Sequence, residues 1–178
     1  NGPESFTPDG NFILGESPEQ NNFYVGAGFN AYGIAAGGGA GMALAEWVAN
    51  GEPPYDLWPV DIRRFGQPHQ ETDWVRKRTY EAYAKHYTIA WPFEEHDSGR
   101  PYKKSPIYEK LKANGACFGE KLGWERPNWF APKGMQAKDQ YTYGRQNWFP
   151  IVAEEHKAAR EQAVIIDQTS FAKFLITG

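Results

Sequence analysis

The apolar residues change period several times along the chain, and each change marks an element. Residues 23–27 (FYVGA) make a short apolar run with the aromatic and β-branched content of a buried strand, broken at Gly28. Seven glycines fall in the span from Gly26 to Gly41. From Gly41 onward Met42, Leu44, Ala45, Trp47 and Val48 recur at helical spacing until Asn50-Gly51, a helix stop. The expected unit is strand, glycine-rich turn, helix. Upstream, Thr7-Pro8-Asp9-Gly10 signals a turn, because proline presets φ and Asp-Gly closes the bend. Residues 12–14 then read as a strand and the polar 17–22 as a turn, so strands 12–14 and 23–27 are expected to pair as neighbours.

Residues 52–65 carry too much proline to be a regular helix and read as a fixed linker. Residues 69–87 predict an amphipathic helix with Trp74, Tyr80, Tyr83 and Tyr87 on one side, which places those tyrosines in a core. Residues 88–92 look strand-like. Ser105-Pro106 opens a helix with an N-cap hydroxyl and a first-turn proline, Asn114-Gly115 closes it, and 116–121 returns as a strand. That succession argues for an antiparallel sheet with helices on one face as a second small domain, giving an α+β chain. Residues 123–130 gather Trp124, Arg126, Trp129 and Phe130, with Arg126 placed to stack on a Trp or to pair with an acid. Residues 131–146 are polar and aperiodic, a mobile surface loop. Residues 151–163 predict a helix with Glu154 and Glu155 against Lys157 and Arg160, and 164–166 and 171–177 read as strands.

A net charge of −3 argues against a nucleic-acid binder or an acidic tail. The single cysteine, Cys117, excludes an internal disulfide; its apolar setting favours a buried, inert thiol over a nucleophile. None of His69, His86, His96 and His156 stands at i,i+4 from another, and Glu94-Glu95-His96-Asp97 reads as a solvated acidic loop, so no metal site is expected. Neither a membrane span nor a signal peptide is apparent. A chain that starts without methionine and stops just after a strand-like run is expected to be an internal fragment. In the glycine-rich stretch there is no G-x-G-x-x-G and no P-loop lysine. Two readings stay open: a ligand approaching the backbone at a helix start, or close packing by small residues.

At these residues a family resemblance enters. Ala27-Gly28-Phe29-Asn30-Ala31-Tyr32-Gly33-Ile34, followed by Gly39-x-Gly41 and Ala45-Glu46-Trp47, resembles the carboxy-terminal cofactor segment of the glycine/D-amino-acid oxidase class of flavoproteins. The strings at 1–15, 58–65 (WPVDIRRF) and 105–130 are similar to the dimethylglycine and sarcosine dehydrogenase group, which includes the regulatory subunit of pyruvate dehydrogenase phosphatase. The ending resembles the opening of the aminomethyltransferase fold.

The resemblance implies three parts: the carboxy-terminal part of an FAD-binding oxidoreductase domain at 1–65, a central domain at 66–150, and the start of a folate-binding domain at 151–178. It implies that Gly28, Phe29, Asn30, Tyr32, Gly33 and Ile34 line FAD. It also implies that the parent oxidises a small N-methyl amine of the dimethylglycine or sarcosine type and passes the one-carbon unit to tetrahydrofolate, whose site lies outside this chain. The electron acceptor is not implied, nor are catalytic residues. Monomeric sarcosine oxidases carry a carboxylate-gripping lysine two residues after the glycine matching Gly33, where this chain has Ala35. A non-catalytic scaffold of the same architecture is the alternative. The compartment implied is the cytoplasm in a bacterium or the mitochondrial matrix in a eukaryote.

Overall fold

A computed structural model describes residues 2–178; Asn1, the first residue of the 1–15 string, lies outside the described residues. The chain divides into two compact units, the residues through Ile89 and Ala90–Gly178. Both mix helices with a small antiparallel sheet.

In the first unit β1 (Ile13–Glu16) and β2 (Tyr24–Ala27) pair antiparallel, Leu14 opposite Gly26, as their alternation and the polar turn between them predict. Leu14 is 2% exposed and anchors a core with Ala40 and Ala43 of α1 (Gly33–Asn50), against which Phe12, Phe29, Leu44, Leu57 and Val60 pack. The helix starts eight residues before the expected Gly41, so most of the glycine-rich stretch is helix and not turn. Each glycine inside a helix costs about 0.5–1 kcal/mol relative to alanine. The face formed by Ala40, Ala43 and Trp47 compensates by burying against the hairpin. Asp61, 2% exposed, caps a 3-10 turn at Ile62–Arg64 and takes the Arg63 guanidinium through both carboxylate oxygens. Burial pushes the Asp61 carboxyl up, but the Arg63 hydrogen bonds and the charges of Arg63 and Arg64 outweigh it and leave the carboxyl below its usual range.

Helix α2 (Thr72–His86) follows a 3-10 turn at Gln67–Gln70 and is shorter than the expected 69–87. Its tyrosines are not core: Tyr80, Tyr83 and Tyr87 are exposed, and the buried side chain is Arg78, whose guanidinium lies 4.9 Å from the Trp74 ring. Tyr83 meets the edges of Phe6 and Tyr87, and Tyr87 meets His86, yet both tyrosines stay at least half exposed. The expected strand at 88–92 is absent, for those residues pair with no other backbone in a ladder.

The second unit is built on a hairpin of β3 (Ala116–Lys121) and β4 (Trp124–Phe130). Its two-residue turn puts Leu122 at φ 51° and Gly123 at φ 82°, the pair of positive angles that matches the twist of a tight hairpin. Helix α3 (Tyr108–Ala113) begins three residues after Ser105, which caps nothing; the Ser105 side chain instead bonds Asp167 and helps hold that carboxyl below its usual range. Helix α4 (Phe149–Glu161) and Trp148 press Trp148, Ile151 and Val152 onto Cys117, Trp129 and Ala131. Residues 164–166 and 171–177 form no strand, since a strand needs a neighbour for its backbone and none of the described residues supplies one.

Candidate functional site

The six residues expected to line a cofactor fall into two groups. Gly28, Phe29 and Asn30 turn inward. Gly28 has φ 62°, and a Cβ there would stand 2.7 Å from Thr7 Cγ2, so only glycine fits. Phe29 stacks on Phe12 with centroids 4.9 Å apart. Asn30 is 1% exposed at φ 51°, and its side chain is spent on Thr7 and the Gly28 carbonyl. Tyr32, Gly33 and Ile34 face outward, Ile34 fully exposed.

These outward residues open α1. Tyr32 occupies the N-cap without a side-chain hydrogen bond, and no acidic residue lies in the first turn. The Ala36 N–H closes the first turn on the Tyr32 carbonyl, so the amides of Gly33, Ile34 and Ala35 precede the helical ladder. They carry the positive end of the helix dipole, an arrangement suited to a group that gathers negative charge. Amides from Ala36 onward are committed to the helix, so the amides left outside the ladder are those of this first turn. A Cβ placed at Gly37, Gly38, Gly39 or Gly41 would meet nothing within 4 Å. Within this chain those glycines therefore serve no close packing, and the face they leave is open. Around it the His86 ring stands 5.0 Å from Tyr32, and Phe6 lies against His86 and Tyr83.

Thr7 is the residue that sequence reasoning missed. It reads there as part of a turn, and Gly10 N–H does reach the Thr7 carbonyl, at 3.4 Å. Its contact with Asn30, 23 positions away, leaves no local signal.

In the second unit the carboxylates near His96 are structural. Glu95 accepts from the Glu120 N–H at 2.7 Å and from Asn128 Nδ2 at 3.1 Å. Among the described residues no group of His, Cys, Asp and Glu could hold a metal ion. Arg126 stacks on Phe171, 4.7 Å to the centroid, and not on a Trp. Asp139, from the loop at 131–146, accepts from Trp129 Nε1 at 2.7 Å and from Cys117 Sγ at 3.6 Å. Cys117 is buried; desolvation first, then the charge and hydrogen bond of Asp139, push its thiol up to about 12. At pH 8 it stays a thiol, and the thiolate is the nucleophile. We expect iodoacetamide to leave Cys117 unmodified in the native chain and to label it on unfolding in urea, by mass spectrometry; rapid native labelling contradicts this.

Comparison with known proteins adds two matches by family. A model described as FAD dependent oxidoreductase central domain matches residues 50–105, and one described as GCVT N-terminal domain matches 107–178. The chain is 46% identical over 178 residues to a 4-methylaminobutanoate oxidase (formaldehyde-forming) of Paenarthrobacter nicotinovorans, covering 100% of this chain and 22% of the relative. It is 39% identical to a mitochondrial sarcosine dehydrogenase of Mus musculus, covering 99% of this chain and 22% of the relative. It is 41% identical to a mitochondrial pyruvate dehydrogenase phosphatase regulatory subunit of Mus musculus, covering 99% of this chain and 20% of the relative. The chain thus spans about a fifth of the length of these proteins. No helix among the described residues is long and apolar enough to cross a membrane.

Proposed function

We propose, from the similarity of this chain along its whole length to sarcosine and dimethylglycine dehydrogenases, that it is the part of an FAD-dependent N-methyl amine oxidoreductase that completes the flavin site. The parent's substrate is a small N-methyl amino acid, and a folate-type domain beginning in this chain passes the one-carbon unit to tetrahydrofolate. The start of the chain belongs to the flavin domain in this reading, followed by the central domain and the start of the folate-type domain. The protein works in the cytoplasm of a bacterium or the matrix of a mitochondrion.

The observation that carries the proposal is the uncapped, acid-free start of α1 beside an open glycine face. Interior glycines that meet no neighbour weaken a helix for no gain within the chain. When bound, the flavin supplies the hydride acceptor for oxidising an N-methyl carbon. The chain's part is to point the Gly33, Ile34 and Ala35 amides at the edge where charge develops, already oriented before reaction. Tyr32 and Ile34, exposed beside those amides, would flank a ring held there, while Gly28 and Asn30 hold the loop that leads there. Ala35 offers no charge to a substrate carboxylate, so carboxylate recognition comes from elsewhere in the parent.

Titrating the isolated chain with FAD and following flavin fluorescence is expected to give weak or no binding, because the adenosine and pyrophosphate sites lie outside these residues. Sub-micromolar binding by the chain alone contradicts a split site. In the full-length protein, a bound flavin that N-methyl amino acids bleach supports the enzyme. Full-length protein without flavin supports the alternative, a regulatory scaffold, which the similarity to the phosphatase regulatory subunit favours.

A further inference from the structure

We propose that Thr7 is a positioning residue for the flavin-facing amides: by locking the Asn30 side chain it sets where the first turn of α1 lies. This rests on the flavin reading above. Thr7 is 4% exposed and Asn30 1%. The Thr7 N–H donates to Asn30 Oδ1 at 2.9 Å, and because a backbone N–H only donates, the amide oxygen must face it. Asn30 Nδ2 then donates to Thr7 Oγ1 at 3.1 Å and to the Gly28 carbonyl at 2.6 Å. The single hydroxyl proton of Thr7 goes to the Asn11 carbonyl, its shortest contact at 2.7 Å, which leaves an oxygen lone pair for Asn30. The Asn30 N–H reaches the Ser5 carbonyl at 3.1 Å. Ser5 and Thr7 therefore take up the backbone N–H, the amide oxygen and one amide proton of Asn30.

The held segment is not one the backbone adopts unaided. Asn30 and Ala31 sit at φ 51° and 66°, left-handed values that a non-glycine residue keeps only where its surroundings over-determine them. Tyr32 then bonds back to Phe29 and α1 begins at Gly33, three positions after Asn30. With so short and so bent a lead, a tilt of the Asn30 amide carries directly to the Gly33, Ile34 and Ala35 amides. The clamp is itself tied down: Arg64 donates to the same Asn11 carbonyl at 3.0 Å and to Asp9 at 2.6 Å. Thr7 does not touch the outward amides, so its effect on a ring there is through Asn30.

Thr7→Val keeps the backbone donor and the methyl against Gly28 but removes the acceptor for Asn30 Nδ2. The test uses the full-length, flavin-loaded protein with Thr7→Val, Thr7→Ser and Ile34→Asp, reading hydrogen–deuterium exchange over residues 28–35 and the flavin midpoint potential. Thr7→Val is expected to speed exchange and to shift the reduced-to-oxidised flavin ratio about tenfold toward oxidised at fixed solution potential, the scale of a partly buried helix-dipole interaction. Thr7→Ser is expected to restore both. Ile34→Asp, which puts a negative charge at the helix start, is expected to shift the ratio the same way. If Thr7→Val leaves the potential or the exchange unchanged while Ile34→Asp shifts the potential, Thr7 has no positioning role and the flavin reading stands. If neither variant moves the potential, the flavin-facing assignment of α1 falls and the role of Thr7 with it. Should Thr7→Val fail to accumulate, the same readings on Thr7→Ala decide.

Discussion

Replacing Trp129 by alanine is expected to remove about 3–5 kcal/mol of stability, the usual loss for a large aromatic cut from a packed core. Trp129 is 1% exposed and among the largest fully buried side chains of the described residues. Around it pack Cys117, Ala131, Trp148, Ile151 and Val152, so the cavity left behind is walled on several sides and closes poorly. The substitution also takes from Asp139 the Trp129 Nε1 donor at 2.7 Å. Trp129→Phe separates the two effects: it keeps most of the volume and is expected to cost about 1–3 kcal/mol, the loss of the donor to a charged group. Urea unfolding followed by circular dichroism measures both. A loss below about 1 kcal/mol for the alanine variant contradicts the assignment of Trp129 as the centre of the second unit.

The second large effect is expected at Arg100. Its Nε and Nη2 meet the two oxygens of Glu125 at 2.8 and 2.7 Å, and Nη2 and Nη1 also donate to the Phe118 and His96 carbonyls at 2.8 and 3.2 Å. The Glu125 side chain is 3% exposed. Arg100→Met leaves that carboxylate buried without its cation and is expected to cost about 3–5 kcal/mol. Removing both charges, as Arg100→Met with Glu125→Leu, is expected to recover most of the loss, because the penalty lies in the stranded charge and not in the missing pair. If the double variant is as unstable as the single, the arginine acts mainly through its carbonyl contacts.

Local code was legible where a decision rests on neighbours in sequence. The turn at Thr7–Gly10, the pairing of the first two strands, the strand at Ala116–Lys121 and the stop after Asn50 all follow from turn residues, period and glycine. It misled where a pattern needed a partner. The tyrosines of α2 have helical spacing, yet remain at least half exposed; the apolar residues 164–166 and 171–177 have strand composition, yet form no ladder with any described residue. The early start of α1 was hidden because glycine lowers helix propensity, and burial of Ala40, Ala43 and Trp47 overrides it.

By itself, then, the sequence determined the likeness to the sarcosine and dimethylglycine dehydrogenase group, the mixed helix and sheet character and the burial of Cys117. Tertiary structure alone decided which of the six marked residues look outward, that Thr7 holds Asn30 from 23 positions away, and that Arg100 and Glu125 meet across 25. The division has a physical cause. Short-range steric and hydrogen-bonding preferences are written into each few residues, whereas the partner of a buried polar group is set by which distant segments packing brings together.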